Sequence, residues 1–575
     1  MSKDLRIEKI DYSIENLSMT LNNWKNFDDS KYLLQYPTVY IVNDEMKEDS
    51  FSVYVGETAD IKTRTKQHLG VDTKLNKKYW NEFYHSQTSS MYVIGHKYFN
   101  KSLTLDIENR LMQYLSSVDS VKSIFNSRTN QQNEYYTSDK LDEIFSEIWN
   151  KLHKKNKELF PIERMVRDSA IFKASPFHKL TPEQISAKEE IIDKIKIALH
   201  EEDESQLIMV EGEAGSGKTV LMSTLFYELK KYDFDEFSDP LNVYLLVNHD
   251  EHITIYQQIA LKLGLTNKKN SIIKKPTSFI LNNEPSNKAD IVIVDEAHLL
   301  LTQGKMSYKG EGHLKDLLER AKVVVAVFDK KQILSREQVW EFDTLDKLIT
   351  SAREKDNHIK LKNQLRINSG IETINWIRTI IDKQIVNPIP IDSKGYEIKI
   401  FDSPNDLQNK ISNKATKTDS GISRMIATFD WKYNGTKKPE NKPYWDVVIG
   451  DWSMPWNKQI KAEKGEKDLP WVERENTINE VGSTYTIQGL DLNYAGLIIG
   501  PSVKYRNGKI IFDKNSSENK KAIQNRKLSD DTLQNFAEEL LKNELNVLMT
   551  RGVNGLYIYA VDDELREALK NAAKG

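Results

Sequence analysis

The chain has 575 residues, which is too long for one hydrophobic core and therefore predicts several domains. Its 82 Lys and Arg residues nearly balance 85 Asp and Glu residues, so the net charge does not indicate a polyanionic partner. The absence of cysteine excludes disulfides, thiolate zinc sites and iron–sulfur clusters. Any catalytic metal is therefore expected to be a hard cation, Mg²⁺ or Mn²⁺, held by oxygen ligands.

No apolar run approaches the roughly 20 residues that span a bilayer. The first residues, MSKDLRIEKI, mix charges and lack an apolar stretch that ends in a small-residue cleavage site. We therefore expect no membrane association and a cytoplasmic location.

The first predicted domain covers residues 1–145 and begins with β-rich sequence. The segments Tyr36–Val42 and Phe51–Val55, separated by a polar turn, predict a hairpin. The charged stretch Trp149–Glu158 and the mixed polar sequence that follows it predict a linker over residues 146–179.

From Leu180 onward, short apolar runs alternate with helical patterns. This alternation is typical of buried parallel strands in an α/β protein. It predicts two lobes, residues 180–370 and 371–575, and the polar stretches 405–422 and 460–480 are expected to be loops or insertions in the second lobe. The apolar runs are Leu207–Val210, Val243–Val247, Ile291–Val294, Val323–Phe328, Leu497–Ile499 and Leu556–Tyr559.

The segment GEAGSGKT, residues 212–219, lies between the first of these strands and an amphipathic helix. A P-loop requires this order of strand, glycine-rich loop and helix. We expect the loop amides to surround the β- and γ-phosphates of ATP, Lys218 to contribute a positive charge, and Thr219 to ligate magnesium. The predicted phosphate-binding residues are Gly212, Gly215, Ser216, Gly217, Lys218 and Thr219.

A second acidic motif supports nucleotide hydrolysis. The apolar run Ile291–Val294 leads directly into Asp295 and Glu296. In a P-loop sheet, carboxylates in this position hold the metal and activate the attacking water. We therefore expect Asp295 to bind magnesium through water and Glu296 to polarise the water.

Further segments follow one another in the order found in superfamily 1 helicases, and the chain resembles their Schlafen-like branch of uncharacterised bacterial ATPases and helicases. Leu180–Gln184 resembles the opening motif of that family, and Phe328–Gln332 resembles its motif III. The resemblance implies two RecA-like lobes. It also implies that Gln184 reads the adenine edge and that Gln332 senses the γ-phosphate.

The remaining helicase-like segments supply two arginines. Leu361–Arg366 resembles motif IV, Gly482–Asp491 resembles motif V, and Leu545–Gly552 resembles motif VI. A motor needs cations that reach the γ-phosphate from a second lobe, so that hydrolysis changes the gap between lobes. Arg366 and Arg551 are the candidates because of their order and spacing, although each, taken singly, fits a surface or interlobe salt bridge better. From motif V, Gln488 and Gly489 join the predicted nucleotide site.

The first domain resembles the GIY-YIG nuclease family. Tyr40 ends the segment Thr38-Val-Tyr on one strand, and Tyr54-Val-Gly lies on the next. Arg64 and His68 follow one helical turn apart, and share one helix face. Thr38 and Val39 depart from the family's glycine and isoleucine.

A later helix supplies the glutamate that the GIY-YIG pattern requires. Glu108 lies on an apolar helical stripe, where an idle carboxylate would be costly, and it is followed by Asn126. The resemblance implies that Glu108 binds one divalent cation and that Arg64 neutralises the pentavalent phosphate. Tyr40 would position the attacking water, with Tyr54 and His68 assisting.

The whole chain is thus expected to be an ATP-driven DNA helicase or translocase coupled to a metal-dependent endonuclease, in foreign-DNA restriction or repair. One alternative is a nucleotide-sensing ATPase that gates the nuclease without unwinding. Another is a nucleic-acid remodeller with an inactive, nuclease-like binding module. DNA is preferred to RNA only by family analogy, and the sequence does not define an oligomeric state or partner subunits.

Overall fold

A computed structural model describes residues 4–13, 23–24, 30–47, 50–69, 78–126, 135–200, 205–231, 240–267, 270–305, 307–341, 344–416 and 421–574. The chain divides into two compact units. Unit 1 contains Met1–Leu180, Ser223–Ser238 and Ile255–Ser271, and unit 2 contains Thr181–Met222, Asp239–Thr254 and Ile272–Gly575.

In the described part of the chain, no helix is both long enough and apolar enough to cross a bilayer.

Unit 1 is built on a mixed sheet in the order β1-β4-β2-β3-β5. Neighbouring strands are antiparallel except β3 and β5, which are parallel. The predicted hairpin is the β2–β3 pair, in which Tyr40 lies opposite Gly56. The strands are β1 Leu5–Asp11, β2 Thr38–Lys47, β3 Ser50–Thr58, β4 Ser90–His96 and β5 Val121–Ile124.

One long helix covers much of this sheet. Helix α4 begins after Asn100, whose side chain accepts a hydrogen bond from the Leu103 amide at 3.0 Å and so caps the helix. Most of its residues are buried. The helices that precede the next unit are α1 Lys31–Leu34, α2 Ile61–Gln67, α3 Lys78–His85, α4 Lys101–Ser117, α5 Leu141–Lys155, α6 Glu163–Asp168 and α7 Ala170–Lys173.

The region expected to be a linker, residues 146–179, is folded. It contains the end of α5 and all of α6 and α7. Trp149 and Leu152 on α5 are fully buried, and the Trp149 indole donates a hydrogen bond to the Pro161 carbonyl at 2.8 Å. The segment therefore packs as part of unit 1, because its apolar residues repeat at helical spacing between the charges.

Unit 2 contains a six-stranded sheet in the order β11-β6-β10-β9-β7-β8. Every pairing in it is parallel, so the carboxyl ends of the strands meet at one edge. The strands are β6 Gln206–Gly212, β7 Val243–Val247, β8 Ile273–Lys274, β9 Ala289–Asp295, β10 Ala321–Phe328 and β11 His358–Leu361.

A second parallel sheet follows in unit 2, in the order β12-β22-β17-β13-β16. Its strands are β12 Glu397–Ile400, β13 Ser423–Ala427, β16 Val481–Ser483, β17 Leu492–Ile499 and β22 Gly552–Ala560. Short antiparallel pairs are added by β14 Asp446–Ile449 with β15 Trp452–Pro455, β18 Val503–Arg506 with β19 Lys509–Phe512, and β20 Arg526–Lys527 with β21 Leu533–Gln534.

Helices surround both sheets. The polar stretch 405–422 was expected to be a loop or an insertion, but its residues up to Thr416 lie in helix α15, where Leu407 and Ile411 are fully buried against the second sheet. From Pro182 onward the helices are α8 Pro182–His200, α9 Lys218–Lys231, α10 Asp250–Lys262, α11 Pro276–Asn282, α12 His313–Leu318, α13 Thr344–Glu354, α14 Ile371–Arg378, α15 Pro404–Thr416, α16 Thr484–Ile487, α17 Lys520–Ile523, α18 Ala537–Met549 and α19 Asp563–Ala572.

The expected fold class is confirmed. Unit 1 mixes helices with a largely antiparallel sheet, and unit 2 carries two parallel sheets covered by helices. This is the α/β architecture of paired RecA-like lobes.

Candidate functional sites

The glycine-rich segment forms a loop between β6 and α9. Gly215 and Gly217 have φ values of +87° and +75°, a conformation that residues with a Cβ rarely adopt. The loop closes on itself through the Ser216 amide, which donates to the Glu213 carbonyl at 3.1 Å. The chain then enters α9 at Lys218, so that amides at a helix N-terminus face the loop.

Lys218 lies inside this loop. Its ammonium donates to the carbonyls of Gly212 and Glu213 at 2.7 and 2.8 Å, and it lies 3.8 Å from an Asp329 carboxylate oxygen. Only 5% of its side chain is exposed. The positive charge is thus fixed by the loop and by one acid from the end of β10.

The two acids at the end of β9 lie at the same carboxyl edge of the sheet as this loop, with β10 between β9 and β6. Asp295 is fully buried, and one of its carboxylate oxygens accepts the Glu296 amide at 3.0 Å. Glu296 has φ +52°, a strained conformation for a non-glycine residue that often marks a functional turn.

The carboxylate of Glu296 is surrounded by groups that can carry positive charge. One oxygen lies 3.1 Å from Nε2 of the buried His298. Burial opposes ionisation of Glu296, but the neighbouring charges, first that of His298 and then that of Lys218, outweigh burial and hold the pKa of Glu296 below its usual value. The group is therefore ionised at neutral pH, as a water-polarising carboxylate must be.

Gln184 lies against the phosphate-binding loop. Its side-chain amide donates to the Gly217 carbonyl at 3.2 Å, and its side-chain oxygen accepts the Thr181 amide at 2.9 Å. It is 3% exposed. These contacts fix Gln184 at the loop, where it is expected to contact the nucleotide.

Gln332 joins groups from both sheets of unit 2. It follows β10, and its amide donates to the Asp329 carboxylate at 2.7 Å. Arg551, which precedes β22 of the second sheet, donates to the Gln332 side-chain oxygen at 3.3 Å. Gln488 donates to the Gln332 carbonyl at 3.2 Å. A residue at the end of the first sheet is therefore bonded to two residues that belong to the second.

Arg551 is fully buried. Its remaining donors bond to the carbonyls of Val547 and Leu490 at 2.8 and 3.2 Å. Burial, with a smaller contribution from the charge of Arg366, lowers the pKa of Arg551 to about 9. It still carries its charge at neutral pH, and that charge faces the Glu296 and Asp329 carboxylates.

Arg366 follows β11 and lies beside the phosphate-binding loop. The neighbouring Leu365 amide donates to the Gly215 carbonyl at 2.6 Å, which holds this segment on the loop. The Arg366 guanidinium, however, pairs with Asp491 at 2.6 Å. The structure thus places Arg366 at the site but joins its charge to a carboxylate of the motif V segment.

Gly489 is needed because a histidine fills the adjacent space. Its φ is +79°, and a Cβ there would overlap the ring of His252 from α10. The pKa of His252 is lowered by burial. The structure therefore adds His252 to the predicted set as a residue that positions Gln488 and Gly489.

Several residues at this site were not predicted from the sequence. Asp329 and Asp491 lie within the segments that resemble motifs III and V, so their place in those segments could have indicated them as site residues. His252 lies on a helix with no motif, and only the fold brings it to Gly489. Asn543 and Asn546 on α18 donate to the carbonyls of Ile333 and Lys331 at 3.0 and 2.9 Å.

The predicted magnesium ligands have suitable chemistry. Thr219 is the second residue of α9, directly after the phosphate-binding loop, and Asp295 with its buried carboxylate is the last residue of β9. Both are hard oxygen donors, and magnesium usually completes its shell with waters and phosphate oxygens. Among the residues described, no group of three or more His, Asp or Glu side chains forms a metal cluster of its own.

In unit 1, the two predicted tyrosines face one another across the β2–β3 hairpin. The rings of Tyr40 and Tyr54 stack with centroids 6.1 Å apart. The Tyr40 hydroxyl is 2.9 Å from Nε2 of His68. Arg64 donates to the Gln67 side-chain oxygen at 3.0 Å, and its charge is close enough to Tyr40 and Tyr54 to oppose the rise of their pKa values. Tyr40, Tyr54 and His68 are therefore in direct contact, with the charge of Arg64 nearby.

The local turn explains how Arg64 reaches the tyrosines. Helix α2 is capped by Asp60, whose carboxylate accepts the amides of Lys62 and Thr63 at 2.9 and 3.1 Å. Burial, and then the neighbouring Tyr54, raise the pKa of Tyr40 well above its usual value, while Arg64 opposes this. Tyr40 is therefore neutral at physiological pH and can donate a hydrogen bond.

Glu108 lies on α4 and is 5% exposed. The side-chain amide of Asn126 donates to its carboxylate at 2.7 Å and to the Val55 carbonyl on β3 at 2.6 Å. This amide ties Glu108 to the strand that carries Tyr54. A single carboxylate with an adjacent amide suits one magnesium ion that keeps several waters.

Aromatic rings from α3 cover the tyrosine pair. Trp80 stacks on His68 with ring centroids 3.8 Å apart, and lies 4.6 Å from the Tyr54 ring. Tyr40, Tyr54 and His68 are 1%, 7% and 2% exposed. In this structure the candidate nuclease side chains form a closed cluster.

Comparison with known proteins identifies relatives of the larger part of the chain. The family model described as "Schlafen group 3, DNA/RNA helicase domain" matches residues 205–562. The uncharacterised protein YPL245W of Saccharomyces cerevisiae is 35% identical over 404 residues, which cover 64% of this chain and 84% of that protein. The region that the family model matches includes the phosphate-binding loop, Asp295, Glu296, Gln332, Arg366 and Arg551.

Proposed function

The chain belongs to the Schlafen group 3 helicase-domain family, and from this premise we propose that it hydrolyses ATP to move on nucleic acid and that unit 1 cleaves phosphodiester bonds. The observation that supports the motor is the hydrogen bond from Arg551 to Gln332. It joins the end of the first sheet to the second beside the phosphate-binding loop. A change at the γ-phosphate can therefore alter how the two sheets are held together.

Each residue has a distinct proposed role in ATP hydrolysis. Lys218 and the loop amides bind the phosphates, and Glu296 polarises the attacking water. Arg551 lies where it can stabilise negative charge that develops on the γ-phosphate. Gln332 contacts Asp329, Gln488 and Arg551, so it is placed to respond when the phosphate leaves.

Magnesium would be held by Thr219 and Asp295 in this proposal. When bound, it would neutralise charge on the β- and γ-phosphates. Asp295 is fixed by the Glu296 amide, so it presents an oxygen in a defined direction.

The motor is tested by ATP hydrolysis with and without single-stranded DNA or RNA. We expect hydrolysis that rises when nucleic acid is added, because translocation couples the two events. Arg551→Ala should reduce the stimulated rate, whereas Arg353→Ala, a change on the surface helix α13, should not. A rate that is the same with and without any nucleic acid would instead favour a nucleotide sensor that gates the nuclease.

The proposed nuclease reaction uses the cluster around the β2–β3 hairpin. Glu108 would hold one divalent cation, which supplies Lewis-acid stabilisation when bound. Tyr40 would orient the attacking water, His68 would accept a proton through the Tyr40 hydroxyl, and Arg64 would stabilise the pentavalent phosphate. Tyr54 stacks on the Tyr40 ring and would keep it aligned.

Cleavage of labelled DNA and RNA by the full chain, with magnesium or manganese, tests this reaction. We expect Glu108→Ala to abolish cutting and Glu143→Ala, an exposed acid on α5, to leave it unchanged. DNA is proposed as the preferred substrate, in restriction of foreign DNA or in repair. Faster cutting of RNA would reverse that preference without removing the nuclease.

A second function for unit 1 is a nucleic-acid-binding module without nuclease activity. The observation in its favour is the burial of Tyr40, Tyr54 and His68 beneath Trp80. Cutting would require α3 to move away from the tyrosines. If Trp80→Ala and the wild-type chain both bind DNA and neither cuts with any divalent metal, unit 1 is such a module.

A further inference from the structure

The β14–β15 hairpin of unit 2 is preceded by a loop that is rich in lysine. Residues 432–442, which we call the basic loop, contain four lysines and a single acid, Glu440. Lys442 pairs with Asp446 at 3.2 Å. The other three lysines are exposed, and no carboxylate in the described part of the chain lies within ion-pairing distance of them. These three are Lys432, Lys437 and Lys438.

Few acids oppose the charge of the basic loop. Asp451, the other acid of the hairpin, lies at the hairpin turn. The basic loop is bonded to the opposite end of the hairpin, where Trp445 precedes β14 and Trp456 follows β15. Three unpaired lysines are therefore opposed within the loop only by Glu440, which leaves a net positive charge.

Two indoles hold the backbone of the basic loop. The Trp445 indole N–H donates to the Lys437 carbonyl at 2.9 Å, and the Trp456 indole N–H donates to the Lys432 carbonyl at 3.3 Å. Between these points, the Asn434 side-chain oxygen accepts the Lys437 amide at 3.1 Å. The loop has no helix or strand of its own, so these bonds fix its path. A loop that is already ordered loses less conformational entropy when it binds a partner.

The chemistry of the basic loop fits a strand of nucleic acid. Lysine binds phosphate as a point charge, and aromatic rings provide surfaces on which bases stack. The Trp431 and Tyr433 rings each pack edge to face on Trp456 with centroids 6.3 Å apart, and both remain partly exposed. A nucleic-acid strand presents phosphates and bases together, whereas an acidic protein segment presents charge alone.

The chain leaves the hairpin through a strained junction. Asn457 and Lys458 directly follow Trp456 and have φ values of +68° and +61°, which residues other than glycine rarely adopt. Such strain persists where surrounding contacts impose it, and it is frequent at functional sites. Both residues of the junction contact segments that lead to the proposed ATP site.

Asn457 contacts the motif V segment. Its side-chain oxygen accepts hydrogen bonds from the hydroxyls of Ser483 at 2.6 Å and Thr486 at 3.2 Å. Ser483 directly precedes α16, and Gln488 and Gly489 follow that helix. The position of Asn457 is therefore linked through one short helix to the two motif V residues at the nucleotide site.

Lys458 reaches the same place through α10. Its ammonium pairs with Glu251, whose side chain is only 10% exposed. The next residue along α10 is His252, whose ring fills the space beside Gly489. The basic loop is thus connected to Gly489 by two series of contacts, one through α16 and one through α10.

We propose that the basic loop binds the nucleic-acid strand and that Asn457 and Lys458 link this binding to ATP turnover. The proposal rests on the motor function proposed above and identifies where the strand is sensed. A strand that displaces the loop also displaces Trp456, because its indole is bonded to the Lys432 carbonyl. The junction that follows Trp456 then shifts the motif V segment at the ATP site.

Strand binding by the full chain tests the first half of the proposal. Anisotropy of labelled single-stranded DNA and RNA is measured over a range of salt concentrations, and the tighter probe identifies the preferred strand. Lys437→Ala combined with Lys438→Ala removes two charges but keeps the carbonyl that Trp445 binds. We expect severalfold weaker binding. The slope of log affinity against log salt should become shallower by about 1.4, since each phosphate contact with a single strand contributes about 0.7.

Lys464→Ala combined with Lys467→Ala is the matched control and should keep both the affinity and the slope. These lysines are also exposed, but they belong to a stretch in which lysines and acids alternate: Lys461, Glu463, Lys464, Glu466, Lys467 and Asp468. The binding half is overturned if the variant of Lys437 and Lys438 has the wild-type affinity and slope. It is also overturned if wild type binds neither DNA nor RNA.

ATP hydrolysis at saturating strand concentration tests the second half. Lys458→Met removes the charge that pairs with Glu251, whereas Lys458→Arg keeps it. We expect Lys458→Met to bind the strand as wild type does, while the stimulation of hydrolysis falls by at least about fivefold, the lower end of typical coupling between sites. Lys458→Arg should retain the stimulation. A change in packing alone would not spare the arginine variant, and melting temperatures near that of wild type establish folding.

The outcomes separate this inference from the motor itself. Full stimulation in Lys458→Met, or equal loss in Lys458→Met and Lys458→Arg, overturns the coupling while a stimulated wild type upholds the motor. A wild-type chain that no strand stimulates refutes the motor and the coupling together. The basic loop is then still decided by the binding measurement.

Discussion

Lys218 and Glu296 perform different tasks in the proposed ATPase, so their variants should fail differently. Lys218→Ala removes the cation that the loop holds, and we expect both ATP binding and hydrolysis to be lost. Glu296→Gln keeps the size of the side chain but removes its charge, so ATP should still bind while turnover falls by about 10²–10⁴-fold. Nucleotide binding and single-turnover hydrolysis, measured separately, distinguish the two.

Lys322→Ala provides the control for these variants. Lys322 is half exposed and pairs with Asp290 at the surface. Its replacement should leave binding and hydrolysis unchanged. If Glu296→Gln hydrolyses ATP at the wild-type rate, Glu296 does not polarise the water and the assignment fails.

Gly489 is the residue at which the smallest substitution should have the largest effect. A methyl group there would overlap the His252 ring, and the positive φ adds backbone strain. We expect Gly489→Ala to displace Gln488 and to reduce ATP hydrolysis stimulated by nucleic acid. Gly508→Ala has a similar φ but open space around it, so it should cost only the strain and leave hydrolysis intact.

At the residue scale, sequence predicts the groups that lie within local motifs. Lys218, Asp295 and Gln332 occur at fixed distances from a strand end, so their positions follow from the pattern. His252 does not, because it comes from a helix brought to Gly489 only by folding. The motif pattern predicts that Arg366 is a cation near the nucleotide. It does not predict that Arg366 pairs with Asp491, because only folding brings these two segments together.

Helix α5 is the element whose role differs most from the sequence expectation. Trp149 is fully buried, and its indole N–H donates a hydrogen bond to the Pro161 carbonyl at 2.8 Å. We expect Trp149→Ala to lower the free energy of unfolding of unit 1 by about 3–5 kcal/mol, the usual cost of removing a buried tryptophan. Chemical denaturation monitored by circular dichroism measures this.

The control for α5 is Lys155→Ala at the exposed end of the same helix, which should change stability by less than about 0.5 kcal/mol. If Trp149→Ala unfolds at the same denaturant concentration as wild type, residues 146–179 act as a linker after all.

At the element scale, continuous apolar runs are predicted well and amphipathic helices poorly. The runs in β7 and β10 are buried on both faces of a parallel sheet, so their sequence has few polar residues. Residues 151–158, which begin in α5 and continue past its end, are mostly charged. Their charge draws attention away from the buried apolar stripe of α5, which includes Ile148 and Leu152. The apolar residues of that stripe recur every three or four positions, which predicts a helix. A linker prediction based on composition alone does not consider this spacing.

The stability of unit 2 should depend on pH through a buried pair of acids. Glu544 on α18 accepts the Phe429 amide at 2.8 Å and the Thr484 hydroxyl at 2.7 Å. Burial, together with the nearby Asp430, raises the pKa of Glu544 to about 7. Burial also raises the pKa of Asp430 to about 6.

The direction in which stability changes with pH follows from the number of protons bound in the folded and unfolded states. Between the usual pKa of 4.5 and about 7, the folded state keeps the Glu544 proton that the unfolded state has lost. Stability should therefore fall as pH rises through this range, by on the order of 3 kcal/mol, and level off above it. Denaturation at several pH values measures the slope.

Glu544→Gln should make this dependence shallower, since a neutral side chain cannot lose a proton and only the raised pKa of Asp430 then remains. Glu539→Gln changes an exposed acid on the same helix and should keep the wild-type slope. A wild-type stability that rises between pH 5 and 7 in step with a Glu544 titration would contradict the assignment.

For the whole molecule, the sequence predicts which type of fold comes first and which comes second along the chain. It does not predict which segments belong to each compact unit. The parallel sheets of unit 2 follow from the spacing of strands and motifs. The inclusion of Ser223–Ser238 and Ile255–Ser271 in unit 1 does not, because these segments lie between strands of the six-stranded sheet in the chain. Long-range packing, which no local pattern encodes, decides their place.

The central claim is that ATP hydrolysis drives movement on nucleic acid while a separate centre cuts it. The most direct measurement follows strand separation and cleavage together on labelled forked DNA, with magnesium and with or without ATP, for wild type, Glu108→Ala and Lys218→Ala. We predict that Glu108→Ala separates strands without cutting and that Lys218→Ala does not separate them. A wild-type chain that hydrolyses ATP without separating or moving along any strand, or a Glu108→Ala chain that cuts as well as wild type, would contradict the account.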